Sequence, residues 1–177
     1  VSGLLSIGID VIDIGRVPTP TVQQAIRRYG ASGGIVVTAS HNPVIWNGLK
    51  LMNKDASFLT ASEYAAYSQY FVDPKAVSFA NWEKVGQYTA DSTAIAYHVA
   101  HILDRIDVTP IRHAKLRVLV DPNNGAGCVA DPTFLDQLGV KYTLLNAEPS
   151  GRFAHDPEPL EKNLAAKGIV LGEAALP

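Results

Sequence analysis

Short apolar runs, too brief to be helices of their own, alternate along the chain with stretches whose apolar residues recur every three or four positions. That order of strand, helix and strand restricts the chain to an α/β architecture. Val11–Ile14 (VIDI) reads as a short strand, and GRVPTP leads from it into TVQQAIRRYG. There Thr21 is placed to cap a helix, Val22, Ala25 and Ile26 form its apolar stripe, and Gly30 suits the left-handed residue that closes it. The next run, GGIVVTA, is unbroken in its apolar character, which predicts a strand covered on both faces and completes a βαβ unit. LKLMN predicts a further strand and ASEYAAYSQYF a helix.

The second half restarts the same grammar. DSTAIAYHVAHILDRI places Ile95, Val99, Ile102 and Ile106 near the helical period, with Asp91 or Ser92 as cap. LRVLV then predicts a buried strand, DPNNGAG a strand-to-helix turn, DPTFLDQLG a helix capped by Asp131 with Pro132 in its first position, and KYTLLN the next strand. The expected fold is mixed-to-parallel sheet layers with flanking helices, in two successive domains, 1–91 and 92–177. A length of 177 residues permits that division.

Composition removes several classes of function. A net charge of −2 without any Lys/Arg run argues against a nucleic-acid or anionic-membrane partner, while leaving room for a small anion at a local positive site. No apolar run approaches the ~20 residues of a membrane span. Cys128 is the only cysteine and cannot form an internal disulfide, so a reducing compartment is expected, with the cytoplasm as default. The chain opens at Val1 without methionine, in what reads as the approach to a strand, and we expect a fragment.

The run GGIVV passes directly into TASHNPVIWNGLK. A strand in an α/β layer ends where ligands collect, because crossover loops leave a crevice at the carboxyl ends. Ser40 lies just past such an end, and the Asn42-Pro43 pair keeps a helix from starting at once. A hydroxyl held on a fixed loop can accept and return a phosphoryl group, given cations for its oxygens and a group to handle the alcohol proton. His41 and Lys50 are the candidate neighbours. A bare Ser-His pair is more often only a turn, and a serine hydrolase is poorly supported, since no G-x-S-x-G elbow is present.

The length of the pattern decides between these readings. GGIVVTASHNPVIWNGLK closely resembles the phosphoserine loop of the α-D-phosphohexomutase superfamily, which includes phosphoglucomutases, phosphomannomutases and phosphoglucosamine mutases. GIDVIDIGRVPTP resembles the strand and loop upstream of that site, VLVDPNNGAG the opening of the family's second domain, and LNAEPSGRFAHDPEPLEKNL the segment before its metal loop. The resemblance implies two successive phosphohexomutase-type domains, both incomplete. It makes Ser40 the phosphoserine, which passes phosphate to a sugar monophosphate and recovers it from a sugar bisphosphate intermediate, and it makes an oxygen of that phosphate a ligand of Mg²⁺. It places His41 against phosphate or substrate, and makes Lys50 a cation near the transferring group and a candidate acid/base. VIWNGLK resembles the phosphoglucosamine and archaeal-type bacterial branches more than animal phosphoglucomutases, with glucose, mannose and glucosamine phosphates all open as substrates.

Departures from the pattern define the alternative. The family's Asp-x-Asp-x-Asp-Arg metal loop is absent from these 177 residues, and Asp10 and Asp13, three residues apart on a strand, face opposite sides and cannot replace it. We therefore expect this chain alone to be inactive, and a silent module that binds phosphosugar or a partner without turnover is the second reading. The remaining conspicuous residues have mainly structural explanations. His98 and His101 sit one turn apart without a third ligand and read as surface helix positions; His155 lies in a proline-rich turn; Cys128 reads as a small packing residue; Trp46 and Trp82 read as core or rim; and Arg16 faces either the crevice or solvent.

Overall fold

Helix α2 (Thr19–Tyr29) shows how the sequence pattern becomes a packed element. Val22, Ala25 and Ile26 are buried on one face, and Gly30 closes the helix with φ 58°. The start differs from expectation: the cap position is Pro18, and Thr21 lies inside the first turn. Thr21 is instead the most deeply buried polar residue among the described residues, 1% exposed, with its Oγ1 2.9 Å from His98 Nδ1. Its hydroxyl serves a tertiary contact, and a proline already satisfies the helix entry, where a missing N–H costs nothing.

The computed structural model describes residues 1–73, 75, 77–158 and 160. Its elements are α1 (Ser2–Ser6), β1 (Val11–Asp13), α2, β2 (Gly33–Val37), β3 (Leu49–Asn53), α3 (Ala61–Val72), β4 (Tyr88–Ala90), α4 (Ala94–Leu103), α5 (Thr109–His113), β5 (Arg117–Val120), α6 (Gly127–Leu138) and β6 (Lys141–Leu144). This is a mixed α/β chain with parallel and antiparallel pairing. The opening residues, read as an approach to a strand, form α1. No helix among the described residues is long and apolar enough to cross a membrane.

The chain divides into two compact units, one of Val1–Val36 with Lys50–Ile106, the other of Val37–Leu49 with the chain from Asp107 onward. In the first unit, β1 pairs in parallel with β4, Val11 opposite Tyr88 and Asp13 opposite Ala90. The expected βαβ pairing around α2 is therefore not made among the described residues, because β1 takes β4 as its neighbour and β2 takes β3. The core gathers Val22 and Ile26 of α2 with Val36, Met52 and Ala56, joined by the half-buried Ile14, Val17 and Ala31. Each fully buried aliphatic side chain of this kind contributes roughly 1.5–3 kcal/mol. Strand β2 presents only one packed face: Val36 is buried, while Ile35 and Val37 are 45% and 66% exposed. The expectation of cover on both faces fails here because no described element lies on the outer one.

Helix α4, with which the sequence reading opens the second domain, packs against α2 in the first unit. Its cap position is Thr93, and Asp91 contributes from two residues earlier, accepting from the Thr93 N–H and hydroxyl at 2.7 Å each. The Asp91 carboxylate also accepts the Tyr29 hydroxyl of α2, and these bonds, Tyr29's first, hold its pKa down at about 2. His98 and His101 are half-buried, not surface positions, since one side of α4 is covered by α2. Burial, followed by the charge of His101, lowers the His98 pKa.

The second unit contains the βαβ element that the sequence predicts. Strands β5 and β6 are parallel, in register from Arg117 opposite Lys141 to Val120 opposite Leu144, with α6 between them in the chain. Helix α6 starts at Gly127, so Asp131 is not its cap and Pro132 lies inside it. The turn before it is already closed by Gly125 N–H on the Pro122 carbonyl at 2.9 Å. Asp131 instead folds over Gly127, where a side chain would meet its Oδ2 at 2.6 Å, and burial raises its pKa.

Candidate active site

The segment Thr38–Gly48 connects β2 to β3. Gly33 lies against the Met52 carbonyl at one end of the pair, and at the other the Thr38 N–H donates to the Gly48 carbonyl at 2.9 Å. This is the register of an antiparallel hairpin, so the sequence after GGIVV turns back on itself. Two further bonds shape the turn. The Asn42 side-chain amide and its N–H both donate to the Ala39 carbonyl, at 2.8 and 3.0 Å.

Ser40 sits at this turn with φ 58°, in the left-handed region, and is exposed. Its N–H donates to Thr38 Oγ1 at 3.0 Å, and its own Oγ lies 3.4 Å from His41 Nδ1. The last distance is long for a hydrogen bond, so the imidazole stands beside the hydroxyl without holding it. Ser40 and His41 are thus brought together. Lys50 belongs to the first unit, where it is half-buried in β3 with Nζ 6.0 Å from the centre of the Phe58 ring. The sequence reading passes over Thr38, and its spacing of two residues before the serine is the one signal that could have found it, since a threonine hydroxyl commonly accepts from the N–H two residues on.

Comparison with known proteins identifies the context of this hairpin. Residues 1–72 match the model of the phosphoglucomutase/phosphomannomutase α/β/α domain I, and residues 96–174 match that of domain II. The chain belongs to this family. It is 40% identical over 93% of its length to a phosphoglucomutase/phosphomannomutase of Thermococcus kodakarensis, and 35% identical over 92% to a phosphoglucosamine mutase of Methanococcus aeolicus. It spans 36% and 35% of the length of those relatives. A solved structure described as a putative phosphomannomutase from Thermus thermophilus superposes with a TM-score of 0.80 at 27% identity, covering 99% of this chain and 40% of its own.

A phosphohexomutase-type Mg²⁺ site needs several oxygen ligands, carboxylates among them. Among the described residues no group of three or more His, Cys, Asp or Glu side chains could hold a metal ion. The side chains beside Ser40 are a hydroxyl and an imidazole, so the described residues do not make up a Mg²⁺ site. Asp10 and Asp13 are engaged elsewhere: Asp10 Oδ1 accepts the Gln87 N–H at 2.7 Å, and Asp13 accepts the Gly15 N–H at 2.8 Å and the Tyr88 hydroxyl at 3.0 Å.

His155 and Cys128, also singled out in the sequence, make contacts within the second unit. His155 Nε2 contacts Asp121 Oδ2 at 3.0 Å while its Nδ1 contacts the Asp156 carbonyl at 2.9 Å. Asn146 donates to the same Asp121 oxygen at 2.9 Å. Burial of Asp121 opposes its charge, yet the bonds from Asn146, His155 and the Asn123 N–H keep its pKa below the usual value. Asn123 and Asn124, both left-handed, tie the turn after β5 to the carbonyls of His155 and Arg152 at 3.1 and 2.8 Å. DPNNGAG is thus a clasp for the loop that follows β6. Cys128 is half-buried, with Sγ 3.8 Å from the Asn146 carbonyl. Trp46 and Trp82 are 62% and 85% exposed, which corrects their reading as core or rim. Arg16 is exposed. Residues 159 and 161–164 of the segment resembling the approach to the metal loop, and the terminal GEAALP, lie outside the described residues.

Proposed function

We propose that the protein containing this chain is a phosphohexomutase that interconverts hexose 1-phosphate and 6-phosphate through a phosphoserine at Ser40. The observation that carries the proposal is the exposed hydroxyl of Ser40, on a braced hairpin turn, inside a domain I sequence of this family. In the reading, a sugar hydroxyl attacks the phosphorus held on Ser40 Oγ. The P–Oγ bond breaks, and the sugar leaves as a bisphosphate intermediate on the enzyme. After reorientation the Ser40 hydroxyl attacks the other phosphate, the bond from that phosphorus to the sugar oxygen breaks, and the proton lost by Ser40 passes to the sugar oxygen, which leaves as the isomeric hexose monophosphate. His41, beside Oγ, contacts the phosphate, and Lys50 supplies positive charge and handles the alcohol proton.

Glucose, mannose and glucosamine phosphates are the substrate class, supported by the names of the relatives. A boundary between domains falls near residue 91 in this reading, between the two matched regions. Mg²⁺ takes its carboxylates from outside the described residues, and the lone cysteine suits a reducing, cytoplasmic setting. Intact mass spectrometry tests the central point. The complete gene product is expected to carry a phosphate-sized increment that Ser40→Ala abolishes; an increment that survives the substitution overturns the assignment.

A further inference from the structure

We propose that Thr38 is a positioning residue for Ser40, its hydroxyl setting the backbone direction from which the phosphate-carrying oxygen is aimed; this rests on the phosphoserine reading of Ser40. Ser40 has φ 58°, a conformation that crowds Cβ against the following carbonyl and that serine adopts seldom. Something outside the residue has to hold it there. The Thr38 Oγ1 does so by accepting the Ser40 N–H at 3.0 Å.

Thr38 is itself tied to the hairpin on two sides. Its N–H donates to the Gly48 carbonyl at 2.9 Å, and its own carbonyl lies 3.4 Å from where a side chain at Gly48 would begin, within ordinary van der Waals contact. As a β-branched residue it also has few χ1 choices. The frame of the β2–β3 pair is thereby transmitted through one hydroxyl to the Ser40 backbone, while the two Asn42 bonds to the Ala39 carbonyl close the turn from the other side.

Because Ser40 is exposed, water satisfies its N–H equally well when the Thr38 hydroxyl is removed. The hydroxyl therefore matters little for folding and much for direction. A nucleophile displaced by about 1 Å loses up to ~10²-fold in rate without any loss of substrate binding. That separation gives the inference a signature distinct from a structural role.

The test is a coupled mutase assay of the complete gene product on glucose, mannose and glucosamine 1-phosphates, primed with glucose 1,6-bisphosphate and followed on the fastest substrate. Thr38→Val is expected to lower kcat about 10- to 100-fold with KM within about twofold, the pattern of an interaction felt in the transition state. Thr38→Ser, which keeps the hydroxyl, is expected to restore kcat to near the wild-type value. Wild-type kcat in Thr38→Val overturns the inference, and so does a Thr38→Ser protein as slow as the valine variant. If Thr38→Val does not fold, Thr38→Ser decides, a tenfold loss there counting against the hydroxyl. Ser40→Ala runs in parallel: full turnover in that variant removes the phosphoserine reading itself, whereas loss in Ser40→Ala with no effect of Thr38→Val removes only the role of Thr38.

Discussion

On the phosphoserine reading, two requirements oppose one another at Ser40: the oxygen must stay open to a sugar, and its direction must be fixed. Exposure meets the first and the left-handed turn meets the second. Lys50 presents the reverse case, a long flexible cation on a strand, tethered among the described residues only by the edge of the Phe58 ring's reach at 6.0 Å. A contact at that distance lies at the limit of the cation–π range and is worth about 0.5–1 kcal/mol at most. The ammonium is therefore free to serve another partner. Lys50→Ala in the complete gene product should lower turnover by ~10²-fold, the usual scale for a positioned acid or base. Lys50→Arg discriminates further: it keeps the charge but cannot give up a proton, so it stays slow if Lys50 moves protons and recovers if it supplies charge alone. Unchanged kcat in the alanine variant removes Lys50 from the mechanism. Serine, histidine and lysine were all legible in TASHNPVIWNGLK because they are the chemical groups themselves. Thr38 was not, because its role is a bond to a neighbour's N–H that only the turn geometry creates.

Between α2 and α4 the decisive contact is one hydroxyl on one ring nitrogen. Thr21 is buried and His98 half-buried, so Thr21→Val leaves Nδ1 of His98 without its partner, at a cost of about 1 kcal/mol measured as a lower urea midpoint at pH 7. The pH dependence has a definite sign. Burial and the neighbouring His101 lower the His98 pKa in the folded state, so the fold favours the neutral ring. That stabilisation is complete above the ordinary histidine value near 6.5, and is lost as the pH falls through the lower folded value. Urea midpoints should accordingly drop between neutral and mildly acidic pH, and His98→Gln should flatten the slope; an identical slope in that variant assigns the effect to another group. Element type was readable where periodicity was strong, as in α2, α3, β3, β5 and β6. It was less readable where long-range pairing decided, since nothing local tells β1 that its partner is β4, beyond α3, and not β2. Helix starts were misplaced for a similar reason. Thr21 and Asp131 look like caps by type, but one is recruited by His98 and the other lies over Gly127.

At the scale of the whole molecule the proposed function raises the question of where the charges for phosphoryl transfer come from. The chain spans 36% of its Thermococcus relative, and its described residues place a hydroxyl and an imidazole together but no cluster of three metal-binding side chains. A phosphoryl group in flight spreads negative charge over its oxygens, and a lone histidine beside Ser40 is too little to balance it. In the proposed reading Lys50 supplies part of the balance, and a divalent cation held by oxygen ligands outside the described residues is the economical source of the rest. Two properties should then separate in the complete gene product. Treatment with EDTA should reduce mutase turnover by ~10²-fold or more, the scale of losing one major electrostatic contributor, with recovery on adding Mg²⁺. A phosphate carried on Ser40, as proposed, is covalent and should remain, seen as an unchanged mass increment in the same metal-free sample. Turnover at the untreated rate after chelation would mean that side chains alone neutralise the transferring group, and the groups sought outside the described residues would then have to be arginines and lysines instead of carboxylates.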